Sequence, residues 1–194
     1  DGADVIDLGC LPATPFPHLE ACIRALHDAG HAGSVDSLDP GELARGIAAG
    51  ADYCLSLTGA TLELVRDSAC VPVLIAENPR DLDELCRTVD RFATWDRPFY
   101  ADAVLDPIHY GLTASLVRYA TLRARYPDVE IMMGIGNLSE LTHTDSLGLN
   151  TLLLGIVSEL HVTAVLTTEV SPHCRSVVRE VDRARRVMHA ARED

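Results

Sequence analysis

The chain contains no lysine: all 16 of its basic residues are arginine. Mechanisms that need a Schiff-base amine or a lysine acid are therefore excluded. Positive charge is scarce altogether, with 16 basic against 29 acidic residues and a formal net charge of -13. Such a surface disfavours nucleic acid and anionic membranes as partners, although a local arginine cluster could still hold an anion. No apolar run reaches the roughly 18–20 residues of a membrane span, and no signal-peptide pattern is read at the start. The six cysteines show no C-x-x-C and no paired Cys/His spacing, so they read as buried thiols of a protein in a reducing cytoplasm. None of the eight histidines has the spacing of a zinc ligand, and no metal site is expected.

What is present suits a globular α/β protein. At 194 residues and 47% hydrophobic, a single domain over residues 1–194 is the expectation. Short apolar or β-branched runs predict strands at residues 4–8, 33–36, 52–57, 71–76, 100–105, 130–134 and 163–167. Helical periodicity fills the intervals at 18–29, 40–49, 61–67, 81–92, 115–125, 147–159 and 176–191. Ala29-Gly30 and Ala49-Gly50 close two helices, as left-handed C-caps require. Gly-Ala-Asp precedes a strand twice, at residues 2–4 and 50–52. Strand-helix units repeated in this way make a parallel sheet with helices outside it. Seven of them fit a TIM (β/α)8-type barrel lacking its first βα unit better than a doubly wound sheet, which is the alternative arrangement. The sequence opens on Asp1 and enters a strand pattern at once, so a piece of a longer chain is expected.

A barrel places functional residues where strands end. Asp7 lies in the first run, Asp36 ends the second, and Ser56 and Thr58 end the third. Glu77 and Asn78 follow the fourth, Asp106 the fifth, Asn137 the sixth, and Thr167, Thr168 and Glu169 the seventh. Chains turn at such points in any protein, which alone would favour polar residues. Convergence of Asp36, Asp106 and Asn137 on one mouth is the functional expectation. Asn137 follows the two glycines of Gly134-Ile-Gly136, which would let the backbone lie against a flat ring; as an ordinary helix N-cap it would serve only the segment that follows. The stretch Glu169-Val-Ser-Pro-His-Cys-Arg175 predicts a helix capped by Ser171 with Pro172 in its first turn. His173 and Arg175 would then stand at a helix N-terminus suited to an anion, or belong to a capped helix with solvated arginines.

Several of these stretches together resemble a known family. DVIDLG (4–9), SVDS (34–37), GADYCLSLTG (50–59), LDPIHYG (105–111) and MGIGNLS (133–139) fall in the order of motifs of the pterin-binding barrel family. That family contains the dihydropteroate synthases and the methyltetrahydrofolate:corrinoid methyltransferases. The resemblance implies that Asp106 accepts two parallel donors from a pterin edge, that Asp36 sits near the ring's reactive side, and that Asn137 reads a remaining heteroatom. Their places at strand ends and in the last loop make Asp7, Ser56, Thr58, Glu169, His173 and Arg175 candidates for substrate contact.

The departures from the synthase pattern are specific. Leu55-Ser56 stand where synthases carry Asn-Asp, Gly136-Asn137-Leu138 where they carry Ser-Arg-Lys, and Thr167-Thr168-Glu169-Val170 where they carry Arg-Val-His-Asp. GNLSELTHTDSLGLN and EVSPHCRSVVRE resemble a dihydropteroate synthase-related group of organisms that use tetrahydromethanopterin. The resemblance implies a transferase that condenses a dihydropterin pyrophosphate with an arylamine in tetrahydromethanopterin biosynthesis. Magnesium would enter only as companion of the pyrophosphate, and a homodimer is compatible with the family. A methyltetrahydropterin:corrinoid methyltransferase-like protein and a non-catalytic pterin-binding module are the alternatives.

Overall fold

A computed structural model describes residues 2–192. Strand and helix alternate along it, and the chain separates into two units, Ala3–Ala101 and the remainder from Asp102, which Gly2 joins. In the first unit β1 (Val5–Gly9), β2 (Ala32–Asp36), β3 (Tyr53–Leu57), β4 (Val71–Leu74) and β5 (Tyr100–Ala101) pair in parallel in chain order. The helices α1 (Leu19–Asp28), α2 (Pro40–Ala48) and α3 (Leu82–Ala93) connect them. Val35, Cys54, Leu57, Val73 and Leu74 of the strands are buried with Leu19, Ile23, Leu43, Leu85 and Phe92 of the helices. Strands covered by helices lose the polar alternation of a half-exposed sheet, which is why these read as apolar runs.

Local chemistry fixes the helix ends. Asp39 accepts from the backbone N–H of Gly41 and Glu42 at 2.7 and 3.0 Å at the start of α2, and Asp81 from that of Glu84 at 2.9 Å at the start of α3. Each such cap contributes about 1 kcal/mol. Gly30 and Gly50 follow α1 and α2 with φ of +78° and +96°, the left-handed conformation expected of them. The periodicity at 61–67 yields only a single 3-10 turn, Leu62–Val65. Arg97 ends it by donating to the carbonyls of Val65, Arg66, Ser68 and Cys70, so that these acceptors point at a guanidinium rather than along a helix.

The second unit contains α4 (Leu112–Arg125), β6 (Glu130–Gly134), the short α5 (Gly136–Ser139), α6 (Ser146–Glu159), β7 (Ala164–Leu166) and α7 (Val177–Ala190). Strands β6 and β7 pair in parallel, with Met133 beside Val165. Asp145 caps α6, which packs against α7. The fifth strand was expected over 100–105 but stops at Ala101. Beyond it the backbone bonds to side chains instead of a ladder. The Asp102 carboxylate accepts from Val104 N at 2.7 Å, Val104 has φ +57°, and Arg118 takes the carbonyls of Ala103 and Val104 at 3.1 and 2.7 Å. Among the described residues, no helix is long and apolar enough to cross a membrane.

Candidate functional site

Two groups of the expected residues are brought together, one in each unit. In the first, the parallel register sets Asp7 beside Ser34 and Gly9 beside Asp36. Paired residues of a parallel ladder point to the same face, and residues two apart share a face, so Asp7, Ser34 and Asp36 lie on one side of the sheet. Ser34 donates to Asp7 Oδ1 at 2.5 Å, and Ser56 donates to Asp36 Oδ1 at 2.6 Å. Ser56 reaches Asp36 because the β3–β4 register shifts between Cys54 and Leu57 and Ser56 itself adopts φ +63°. An irregularity of this kind re-aims a side chain at a strand end. Burial raises the Asp7 carboxyl to about 6, the Ser34 hydrogen bond opposes this, and the neighbouring charge of Asp36 adds to it. Thr58 Oγ1 lies 3.5 Å from Glu77 Oε1, and the backbone N–H groups of Glu77 and Asn78 are held by Glu84.

A cleft of about 920 Å³ opens beside this pair, lined by residues 10–15 and 36–42 together with Arg45 and Ser56. Arg45 is a paired cation: its Nε and Nη2 donate to Glu20 at 2.6 and 2.7 Å. The Cys10 thiol is pushed up to about 11 by burial and by the adjacent Glu42 carboxylate, so it stays protonated at neutral pH.

The second group surrounds Asp106. Arg118 donates to Asp106 Oδ2 at 2.9 Å, with only 10% of the arginine side chain and 15% of the aspartate side chain exposed. Ser115 accepts from the backbone N–H of Asp106 at 3.1 Å. Gly111, at φ +129°, leaves room for the carboxylate, since a Cβ there would lie 2.9 Å from Asp106 Oδ2. Asn137 donates from Nδ2 to the carbonyl of Leu105 at 3.0 Å and so stands one residue from Asp106. It is the second residue of α5, whose N-cap is Ile135, so it does not cap that turn itself.

The loop after β7 is organised differently from the expected capped helix. Pro172–Cys174 form a 3-10 turn with Ser171 at its N-cap, and the long helix begins only at Val177. The donors of the loop are already engaged by Glu140, whose carboxylate accepts from Thr168 Oγ1 at 2.9 Å and from the N–H groups of Val170 and Ser171 at 2.8 Å each. Burial alone would raise this carboxyl; the Ser171, Val170 and Thr168 hydrogen bonds outweigh it and hold Glu140 at about 2. Glu169 accepts from Val178 N at 3.0 Å in the first turn of α7. His173 Nε2 lies 3.0 Å from the Ser139 carbonyl, which can only accept, so that nitrogen carries the proton. Arg175 is exposed.

Sequence reasoning did not single out Ser34, Arg118 or Glu140 as site residues. Arg118 carried a signal: with Ser115, Tyr119 and Leu122 it falls on the buried face of α4, where a cation must be paired. Ser34 carried a weaker one, being two residues from Asp36 in a strand. Glu140 carried none. Among the described residues, no group of three or more His, Cys, Asp or Glu is placed to hold a metal ion.

The chain as a whole superposes on solved structures of one kind. A Thermus thermophilus dihydropteroate synthase, in complex with 6HMPPP, matches with a TM-score of 0.72 at 18% identity over 97% of this chain and 83% of that one. The fold is that of the dihydropteroate synthases. The Yersinia pestis enzyme with a pterine-sulfa conjugate gives a TM-score of 0.71 at 16% identity over 99% of this chain and 83% of that one. The Coxiella burnetii enzyme in complex with pteroic acid gives 0.71 at 17% identity over 99% and 81%. The TIM-type barrel class read from the repeating βα units thus agrees with the structures it resembles. An uncharacterized protein of Methanocaldococcus jannaschii is 27% identical over 214 residues, 99% of this chain and 40% of that protein. The chain therefore spans about two fifths of the length of that relative. No protein-family model matches the chain.

Proposed function

We propose that this chain binds a pterin and acts as a dihydropteroate synthase-like transferase, condensing a dihydropterin pyrophosphate with an arylamine in tetrahydromethanopterin biosynthesis. The observation that carries the reading is the placement of the Asp106 carboxylate, aimed by Arg118 and room-made by Gly111, next to Asn137. A carboxylate oriented in this way accepts two parallel N–H donors from a pterin edge, and the Asn137 amide complements a remaining ring atom. The bond from the pterin methylene to the pyrophosphate oxygen breaks, the electron pair leaving with the pyrophosphate. The arylamine nitrogen then bonds to that carbon and releases a proton. Within the first unit, Ser56 fixes the orientation of Asp36, and a carboxylate set in this way is suited to stabilising a developing positive charge. Arg175, exposed, offers a cation to the departing anion, with His173 and Glu169 shaping its loop. Magnesium would enter only with the pyrophosphate and would there offset its negative charge.

A second reading, a pterin-binding module without turnover, is favoured by the absence of lysine throughout and by the Glu140 carboxylate already seated in the loop after β7. Calorimetric titration with a panel of pterins, comparing wild type with Asp106→Asn and Asp106→Ala, tests both. Loss of a charge-assisted pair lowers affinity by about tenfold or more. Failure of every pterin to bind, or equal affinity in all three proteins, refutes the anchor. Release of pyrophosphate on adding an arylamine separates the transferase from the module.

A further inference from the structure

We propose that Tyr119 and Asp102 are positioning residues, a buried pair that sets where the Asp106 carboxylate stands. The proposal rests on the pterin-binding reading and adds to it the part of the fold that fixes the anchor. Tyr119, on α4, is fully buried, and Asp102, just beyond β5, is buried beside it. The Tyr119 hydroxyl donates to Asp102 Oδ1, which also accepts from Val104 N at 2.7 Å. That second bond closes a tight turn in which Val104, a β-branched residue, takes φ +57°. Such a residue enters the left-handed region only where its surroundings over-determine it. Burial and the adjacent Asp102 charge push the phenol well above its ordinary value, so it remains a donor at neutral pH.

The turn decides where the following groups point. It presents the Ala103 carbonyl to Arg118 Nε and the Val104 carbonyl to Arg118 Nη2, and the same Nη2 reaches Asp106 Oδ2. The next carbonyl, that of Leu105, accepts from Asn137. Both residues of the proposed pterin contact therefore hang on the geometry of residues 102–105. With β5 ended at Ala101, the template for that segment is α4, whose buried Ser115, Arg118, Tyr119 and Leu122 recur at the spacing of one helix face. A phenylalanine at position 119 would fill the same space; the hydroxyl is what the turn uses.

The test has two readouts on the whole chain. NMR of the nitrogen-15-labelled protein follows exchange of the Arg118 Nε proton with water, a signal identified by its loss in Arg118→Lys, and calorimetry follows binding of 6-hydroxymethylpterin. Tyr119→Phe and Asp102→Ala should speed the exchange about tenfold or more, the factor that loss of one hydrogen bond produces. Both should weaken binding by about tenfold to a hundredfold, since an anchor displaced by even about 1 Å loses that much. Asp102→Asn, which keeps an oxygen for Val104 N, should lie between Asp102→Ala and wild type in both readouts. Val157→Ala, a buried position of α6 that makes none of these bonds, should lower the melting temperature and leave both unchanged. Unaltered exchange in Tyr119→Phe overturns the proposal, as does faster exchange with undiminished pterin affinity. Equal loss of affinity in Val157→Ala overturns it too, because destabilisation alone would then suffice. A wild-type chain that binds no pterin ends the pterin reading, and the Arg118 exchange then decides the positioning by itself. Pterin binding indifferent to Tyr119→Phe ends this proposal and leaves that reading standing.

Discussion

Arg118→Met removes a cation that holds three acceptors at once. The carbonyls of Ala103 and Val104 and the Asp106 carboxylate lie 3.1, 2.7 and 2.9 Å from its guanidinium, and only 9% of the residue is exposed. Methionine fills most of the volume but donates nothing, so a largely buried carboxylate is left without its partner. Breaking a buried pair from one side costs about 3–5 kcal/mol. Against a typical total of about 5–15 kcal/mol, that is a large fraction of the stability. With a urea slope of about 2 kcal/mol/M, the midpoint followed by circular dichroism should fall by about 2 M. Arg118→Lys keeps the charge but loses the planar fork, and should lie between the two. Arg118→Met with Asp106→Asn should be less damaged than the sum of its parts, because the second change removes the stranded charge. A midpoint for Arg118→Met within about 0.5 M of wild type would show that the pair does not organise this segment, and the argument for an aimed Asp106 would fail with it.

Two further outcomes follow from named contacts. Asp7 is raised from 3.8 to about 6 in the folded chain, so the folded state binds more protons than the unfolded one between those values, and stability falls as pH rises through that window. Asp7→Asn should flatten the pH 4–6 slope of the unfolding free energy by up to about 3 kcal/mol; an identical slope in both proteins would refute the buried-acid account. Gly111→Ala places a Cβ 2.9 Å from Asp106 Oδ2 on a backbone at φ +129°. It should cost about 1–3 kcal/mol in a thermal melt and weaken pterin binding, and an unchanged melting temperature would show that the segment yields freely.

The elements were legible because packing enforces their periods. Strand β6 was read as residues 130–134 and is Glu130–Gly134; α2 was read as 40–49 and is Pro40–Ala48. The reading failed where side chains replace the backbone ladder. Residues 102–105 have the apolar character of a strand, but the Asp102 carboxylate and Arg118 engage their backbone, a competition invisible to hydropathy. Alternation within β2 puts Ser34 and Asp36 on one face, whereas Asp7 joins them only through the β1–β2 register and Ser56 only through a register shift at the end of β3. At the other end, Ser171 and Pro172 carry the signature of a helix start, and the chain makes a 3-10 turn there before α7 begins at Val177. The Glu140 carboxylate that ties this loop lies some thirty positions upstream, a separation no local pattern reports.

Because Glu140 belongs to the same chain as the amides it holds, it behaves as a tethered competitor that never diffuses away. A tethered group acts at an effective concentration on the order of millimolar or higher, so a visiting anion would have to outbid it before touching Val170 or Ser171. Acid would loosen that hold only near pH 2, where the carboxyl takes up its proton. At neutral pH the turn after β7 therefore acts as a latch that fastens the segment following β6 to the approach of α7, and its amides are closed to outside ions.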